Sequence, residues 1–114
     1  MNKKEIGSKY ENIAKKYLEK KEYKILEMNY RNFIGEIDII ARDADQLIFV
    51  EVKARKTKKF GLPREAITYK KIDKIRKCSL VYMKDNKIYD CPLRFDVVEV
   101  YINEKKINHI INAF

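Results

Sequence analysis

The distribution of apolar residues along the chain predicts two amphipathic helices. From residue 3 to residue 20, apolar side chains recur every three or four positions, and Lys and Glu fill the other positions. This spacing is the period of an α-helix with one buried face. A second stretch of the same period continues to about Met83. Pro63 fits the first position of that helix, because proline lacks the N–H that a helix start leaves unpaired.

The tyrosines at helical positions are expected to pack in the core. A large aromatic ring on the apolar side of a helix usually contributes to packing. The alternative is that such rings are platforms on which nucleic-acid bases stack. The residues concerned are Tyr10, Tyr17, Tyr69 and Tyr82.

Extended segments between and after the helices predict a mixed sheet. Residues 29–32 break the first strand, and residues 43–46 have the composition of a turn. The second and third strands are apolar on both faces for part of their length, which is typical of central strands. The order α-β-β-β-α-β-β predicts a mixed sheet flanked by helices, in one domain spanning residues 1–114. The predicted strands are 22–28, 36–42, 47–55, 94–102 and 105–111.

Composition narrows the class of protein. The chain has 114 residues, 46% of them hydrophobic, which is enough for one compact core. No apolar run approaches the roughly 20 residues of a membrane-spanning helix, and the first five residues lack the apolar centre of a signal peptide. We therefore expect a cytoplasmic protein. Two cysteines, Cys78 and Cys91, and the single histidine His109 argue against a four-ligand zinc site. We expect His109 to lie on the surface of the last strand, and Arg94 and Asp96 to form a structural ion pair at the start of a strand.

Positive charge is concentrated in one part of the sequence. The net charge is +9, and residues 51–78 hold eleven basic and three acidic residues. Such a basic stretch suggests a polyanionic partner, nucleic acid above all. The alternative is a solvated basic surface that only aids solubility. Candidate backbone-binding residues lie in the loop after the third strand and in the second helix: Arg55, Lys56, Lys58, Lys59, Lys70, Lys71 and Lys74.

Three charged residues, Asp38, Glu51 and Lys53, lie in the predicted central strands. If the turn has an even number of residues, Asp38 lies opposite Glu51, and Glu36 lies opposite Lys53. Opposed carboxylates about 5 Å apart repel each other. A divalent cation such as Mg²⁺ between them removes the repulsion, and Lys53 adds positive charge for phosphodiester chemistry. An odd turn would place the two carboxylates on opposite faces.

A structural interpretation of the same residues stays open. In it, Glu36, Asp38, Glu51 and Lys53 form a ladder of ion pairs near a sheet edge. Charged residues in strands need such partners when they are buried. The spacing D-x₁₂-E-x-K alone does not distinguish this ladder from a metal site.

Two segments of the sequence resemble the signature of the YraN family, small bacterial proteins regarded as candidate endonucleases. These segments are Gly35–Asp38 and Phe49–Arg55, and the similarity extends from about Gly7 to Tyr101. The family is similar to archaeal Holliday-junction resolvases and to the PD-(D/E)xK nuclease superfamily. The resemblance implies a restriction-endonuclease-like mixed sheet flanked by helices. The residue before Asp38 is Ile37, so the literal Pro-Asp pair is absent.

The resemblance also implies roles for individual residues. Asp38 and Glu51 match the metal-binding carboxylates, and the Val52 carbonyl matches a further metal ligand. Lys53 matches the catalytic lysine, and Glu11 matches the first-helix glutamate of resolvase-like nucleases. Lys71 corresponds to a polar residue of the second helix near the substrate.

These observations predict an endonuclease that uses Mg²⁺ or Mn²⁺ to hydrolyse phosphodiester bonds in DNA, branched or junction DNA included. One alternative is a nucleic-acid-binding protein that keeps the nuclease fold without cleaving. A purely structural or adaptor protein is the other alternative. A homodimer is compatible with a two-stranded substrate.

Overall fold

The computed structural model describes residues 3–55 and 67–114, with side chains described from Gly7 onward. Two helices and five strands follow one another in the predicted order α-β-β-β-α-β-β, which confirms the predicted fold class. Neither helix in this part of the chain is long and apolar enough to cross a membrane. The elements are α1 (Lys3–Lys20), β1 (Lys24–Arg31), β2 (Glu36–Asp43), β3 (Gln46–Arg55), α2 (Tyr69–Asp85), β4 (Leu93–Tyr101) and β5 (Lys106–Ile110).

The five strands form one sheet in the spatial order β1-β2-β3-β4-β5. Neighbouring strands are antiparallel except for β3 and β4, which are parallel. A parallel pair requires a long crossover, and α2 lies within it. β3 is the central strand and β2 is also internal, which confirms the prediction from their apolar faces.

The β2–β3 hairpin has a two-residue turn, Ala44-Asp45. The register runs from Asp43 opposite Gln46 to Ile39 opposite Val50. Ala44 has a φ of 54°, a left-handed conformation that glycine adopts more readily than alanine. The turn is therefore even, as the metal-site prediction required.

A core cluster lies on each face of the sheet. On one face, α1 residues such as Ala14 and Leu18 pack against Ile39, Ile48 and Val50. The other cluster joins buried residues of α2 to alternate residues of the same strands: Ile75, Cys78, Tyr82 and Met83 against Ile40, Leu47, Phe49 and Phe95. Each helix thus covers one face, which is why the inner strands are apolar on both sides.

Two predicted boundaries are wrong. β1 continues through Arg31, although residues 29–32 were expected to break it. A register shift between Ile25 and Glu27 and a positive φ of 53° at Asn29 allow the strand to continue. Helix α2 begins at Tyr69, because the extended Thr68 caps it and accepts a hydrogen bond from the N–H of Lys71. Pro63 lies outside the described residues and is not the first residue of α2.

The tyrosine prediction is confirmed except at one position. Tyr82 is buried, and Tyr10 and Tyr17 pack against the α1-side core. Tyr69, the first residue of α2, is 91% exposed, so the prediction is wrong for this tyrosine.

Candidate functional site

The candidate site lies where β2 and β3 separate. Their regular pairing reaches Ile39 and Val50, and the next residue of β2 is Asp38. The Asp38 Oδ2 atom accepts a hydrogen bond of 2.8 Å from the backbone N–H of Val52. The Asp38 carboxylate therefore takes the place of the β2 backbone carbonyl that would accept the next hydrogen bond between the two strands. This hydrogen bond holds the Asp38 side chain against β3.

Asp38 and Glu51 are close enough at this point of the sheet for their charges to interact. The pKa of Asp38 is raised from 3.8 to about 7, first by burial and then by the negative charge of Glu51. The hydrogen bond from Val52 favours the ionised form of Asp38, but burial and repulsion outweigh it. The predicted juxtaposition of the two carboxylates is confirmed.

Two lysines accompany Glu51. The Nζ atom of Lys71, from α2, lies 2.7 Å from Glu51 Oε1, and Lys53 Nζ lies 3.7 Å from the same oxygen. Burial works to lower the pKa of Lys71, but its hydrogen bond to Glu51 and the neighbouring negative charges leave that pKa raised. Lys71 is therefore a positively charged group that pairs with one carboxylate oxygen of Glu51, a candidate metal ligand.

Glu11 reaches the same region from α1. Burial raises the pKa of Glu11, a hydrogen bond with Asn29 opposes that rise, and the negative charges of Glu36 and Glu51 add to it. The negative charge of Glu11 in turn contributes to the raised pKa of Asp38. The first-helix glutamate therefore acts electrostatically on the pair of carboxylates.

The complete ion-pair ladder does not form. Glu36 is exposed and pairs with Arg31 at 2.7 Å instead of lying in register with Lys53. Among the side chains of residues 7–55 and 67–114, no basic group forms an ion pair with the Asp38 carboxylate. Of the four residues of the predicted ladder, Glu51 and Lys53 are the two that pair with each other among the described side chains, at 3.7 Å.

The donor set suits a hard divalent cation. Asp38, Glu51 and the Val52 carbonyl would supply oxygen ligands, the type that Mg²⁺ prefers. The raised pKa of Asp38 marks negative charge that a cation there would offset. Among the described side chains, no group of three or more His, Cys, Asp or Glu is arranged to hold a metal ion. Asp38 and Glu51 are therefore the side-chain oxygen donors of this site, and a cation bound at Glu51 Oε1 would have to displace Lys71.

A groove of about 190 Å³ adjoins the site. Its lining residues come from the start of β2 and from α2: Gly35, Glu36, Lys71, Lys74 and Ile75. A Cβ atom at Gly35 would lie 3.5 Å from Lys74 Cγ, so the Lys74 stem rests against the backbone of this glycine. The groove therefore has a basic wall on the helix side.

The predicted nucleic-acid-binding residues fall into three groups. Lys70 and Lys74 are exposed on α2, and Lys71 faces Glu51. Arg55 points into the sheet, where its Nε lies 3.3 Å from the buried carboxylate of Glu99. Lys56, Lys58 and Lys59 lie outside the described residues. Binding by all of them stays a prediction.

Sequence reasoning missed a buried polar network on the α1 side. It anticipated the Arg94–Asp96 ion pair, which forms at 2.8 Å, but placed His109 on the surface. The His109 side chain is 3% exposed, and its Nε2 lies 2.7 Å from Asp96 Oδ2. In the sequence, Asp96 lies between the apolar residues Phe95 and Val97 of β4. A charged residue in such a segment needs a buried partner, and this pattern was the signal from which the contact with His109 could have been sought. The contact between Asp96 and His109 in this network joins β4 to β5.

Comparison with known proteins places the chain in a family. Residues 10–100 match the sequence profile of the uncharacterised protein family UPF0102. The chain belongs to the UPF0102 family. Among similar UPF0102 proteins, that of Clostridioides difficile (strain 630) is 54% identical over 114 residues, and the match covers all of both chains. The UPF0102 protein of Alkaliphilus oremlandii is 52% identical over the full length of both chains. That of Caldanaerobacter subterraneus subsp. tengcongensis is 49% identical over all of this chain and 98% of the relative.

This membership confirms the resemblance to the YraN family. The UPF0102 match begins within α1, one residue before Glu11, and extends into β4. The candidate site of Asp38, Glu51, Lys53 and Lys71 thus lies wholly within the region that defines the family.

Proposed function

We propose that this UPF0102 protein is a metal-dependent endonuclease that hydrolyses phosphodiester bonds in DNA, branched or junction DNA included. The observation that carries the proposal is the meeting of Asp38 and Glu51 where β2 and β3 separate, with two lysines beside them. This is the charge arrangement that phosphodiester hydrolysis requires: oxygen ligands for a cation next to positive charge for the phosphate.

Each residue of the site has a task in this proposal. Asp38, Glu51 and the Val52 carbonyl would hold Mg²⁺ or Mn²⁺, which when bound lowers the pKa of water and stabilises negative charge on phosphate. Lys53 orients the attacking water or stabilises the charge that develops on the phosphate oxygens. Glu11 adds negative charge that favours cation binding. The Val52 N–H fixes the direction of the Asp38 carboxylate.

Substrate binding falls to the basic side chains around the groove. Lys71 and Lys74 line it, and Lys70 lies exposed on the first turn of α2. Contacts of lysine with phosphate position a nucleic acid without reading its sequence. We therefore propose DNA as the partner, bound through its backbone, and a homodimer as the arrangement that would present two sites to two strands.

A second candidate function is nucleic-acid binding without cleavage. The ion pair of 2.7 Å between Lys71 and Glu51 favours it, since a lysine satisfies a carboxylate that a nuclease needs for its metal. In that case the protein would bind DNA equally well with and without divalent cations.

Cleavage assays on single-stranded, duplex and branched DNA with Mg²⁺, with Mn²⁺ and with EDTA test the proposal. We expect cleavage that needs the cation and that falls by at least about a hundredfold in Glu51→Gln and Lys53→Ala, while DNA binding in EDTA persists. The control is Asp45→Asn, which removes an exposed carboxylate from the β2–β3 turn, at the end of the hairpin opposite Asp38, and should cleave normally. Absence of cleavage on every substrate, together with metal-independent binding, would establish the second function instead.

A further inference from the structure

We propose that Glu99 is a positioning residue of the candidate site, which holds Arg55 beside Lys53 so that Arg55 binds the phosphate next to the reacting one. The inference deepens the proposed function and rests on it for the assignment of Lys53 to the reacting phosphate. It adds a requirement on the substrate, because the bound strand must then carry at least two consecutive phosphates.

Glu99 lies on the same face of the sheet as the candidate site. Its neighbours in register are Lys53 of β3 and Asn108 of β5. Residues in register on paired strands project their side chains to the same face. Phe95, four residues before Glu99 on β4, packs in the α2-side core, so this is the face that α2 covers. The polar residues of the site therefore continue from β3 across β4 to β5.

The Glu99 carboxylate is buried and is bound at both oxygens. Glu99 is 1% exposed. Its Oε1 atom accepts hydrogen bonds from Asn108 Nδ2 at 2.8 Å and from the Tyr101 hydroxyl at 3.3 Å. Its Oε2 atom accepts a hydrogen bond from Arg55 Nε at 3.3 Å. Side chains from three strands therefore fix the direction of this carboxylate.

Stability alone gives little reason for the buried pair of Glu99 and Arg55. The cost of removing two charges from water offsets most of their attraction, and apolar residues of similar volume often stabilise a protein as well or better. On the same face, β4 has the buried apolar residues Phe95 and Val97. A buried carboxylate that directs an arginine at the border of a charged site is typical of residues that orient the groups in contact with a ligand.

Lys53 and Arg55 have the spacing of two phosphate contacts. They are two residues apart on β3, so their side chains leave the same face about 7 Å apart. This separation is comparable with that of neighbouring phosphates along one nucleic-acid strand. Both side chains are partly accessible, Lys53 at 24% and Arg55 at 19%. Because a guanidinium is planar and meets phosphate in a preferred direction, the bond from Nε to Glu99 sets how Arg55 presents itself.

DNA binding by the full-length protein in EDTA, measured with a fluorescently labelled duplex over a range of salt concentrations, tests the inference. We expect Glu99→Gln to weaken binding at least about threefold and to reduce the slope of log K against log salt by up to about one, as Arg55→Ala does. The direction is decisive, because removing a negative charge without loss of position would strengthen DNA binding. The double variant should bind no more weakly than Arg55→Ala alone, since Glu99 acts through Arg55.

Asp96→Asn is the matched control. Asp96 is a buried carboxylate of the same strand that also pairs with an arginine, Arg94, but it lies on the α1 side, where it contacts His109. Its replacement makes the same change in charge and should not weaken DNA binding or reduce the slope. Circular dichroism and thermal melting establish that each variant is folded. Asn108→Ala removes a donor to Glu99 without changing the charge, and it replaces Glu99→Gln if that variant does not fold.

Three results would overturn the inference and assign Glu99 to the fold alone. They are unchanged or stronger binding in Glu99→Gln and Asn108→Ala, an unchanged slope in Arg55→Ala, and additive losses in the double variant. Binding is measured in EDTA, so these results stand whether or not the protein cleaves. Coupled losses of binding in a protein that never cleaves would keep the role of Glu99 and remove the proposed chemistry. Cleavage by the native chain, with native-like binding in Glu99→Gln, would keep the proposed function alone.

Discussion

Asp38 gives the candidate site a measurable dependence on pH. Its pKa is about 7 in the folded chain and 3.8 for an ordinary aspartate, so the folded chain binds a proton that the unfolded chain has already released. The contribution is fully favourable below about pH 4 and is lost as the pH rises through about 7. In the absence of divalent cations, we expect Asp38→Asn to raise the free energy of unfolding at pH 8 by about 1–4 kcal/mol and to change it little at pH 4.

Thermal and urea unfolding in EDTA at the two pH values measure this effect. Asp45→Asn is the control, because Asp45 lies exposed in the β2–β3 turn and should show no such difference. A variant that is strongly destabilised at pH 8 would indicate that the Asp38 carboxylate is structural, as the ion-ladder interpretation holds.

In the proposed metal site, Lys71 would compete with a cation for Glu51. Its ammonium lies 2.7 Å from Glu51 Oε1, whereas Lys53 Nζ lies 3.7 Å from that oxygen, so removing Lys71 takes away the nearer of the two positive charges. We expect Lys71→Ala to bind Mg²⁺ several-fold more tightly than the native chain when no DNA is present, and to bind DNA several-fold more weakly. Isothermal titration with Mg²⁺ and with an oligonucleotide measures the two affinities separately.

Lys77→Ala is the control for Lys71. It removes the same charge from the same helix, but Lys77 pairs with Asp73 four residues earlier and not with Glu51. If both variants bind Mg²⁺ alike, Lys71 does not regulate access to Glu51.

Spacing along the sequence predicted the pair of carboxylates but not the lysine that meets them. The placement of Asp38 opposite Glu51 follows from the even number of residues in the β2–β3 turn, and that number can be read from a short stretch of sequence. The contact of Lys71 with Glu51 depends on how α2 sits on the sheet, and many helical positions were equally compatible with the pattern. The burial of His109 was missed for the same reason, since its partner Asp96 belongs to another strand.

The β2–β3 turn limits the stability of the hairpin that carries the site. Ala44 has a φ of 54°, which costs an alanine more than a glycine. We expect Ala44→Gly to stabilise the protein by up to about 1 kcal/mol, while the even turn and the Asp38–Glu51 contact are preserved. Urea unfolding gives the change. Ala54→Gly, an exposed alanine in β3 outside the positive-φ positions, should destabilise.

Helix and strand periods predicted the elements better than their ends. The order of all seven elements followed from apolar spacing, because each helix covers one face of the sheet. Proline chemistry suggested Pro63 as the start of α2, whereas the cap at Thr68 sets the start. Asn29 lies within β1 because a bulged edge strand tolerates a positive φ that a flat central strand would not.

The net charge of +9 predicts that DNA affinity falls steeply with salt. Simultaneous replacement of Lys56, Lys58 and Lys59 by alanine should weaken binding to all sequences alike and reduce the slope of log K against log salt by up to about three. Fluorescence anisotropy over a range of salt concentrations measures the slope. The matched control replaces Lys15, Lys16 and Lys20 of α1, which keeps the charge change equal. Equal slopes for both triple variants would mean that the bound backbone follows another surface.

The parallel pairing of β3 with β4 has a consequence for the order of folding. β1, β2 and β3 are joined by short turns, so their antiparallel pairs can form after small loop closures. Leu47 meets Leu93 only after the whole crossover has closed, and Lys71 reaches Glu51 in that same event. We therefore expect high φ-values for Ile39→Val in the β2–β3 hairpin and low ones for Val98→Ala in β4. The two acidic groups would then be brought together early, with Lys53 of the same strand beside them, and would acquire Lys71 late, so a chain arrested before the crossover closes would lack the nearer of the two positive charges at Glu51.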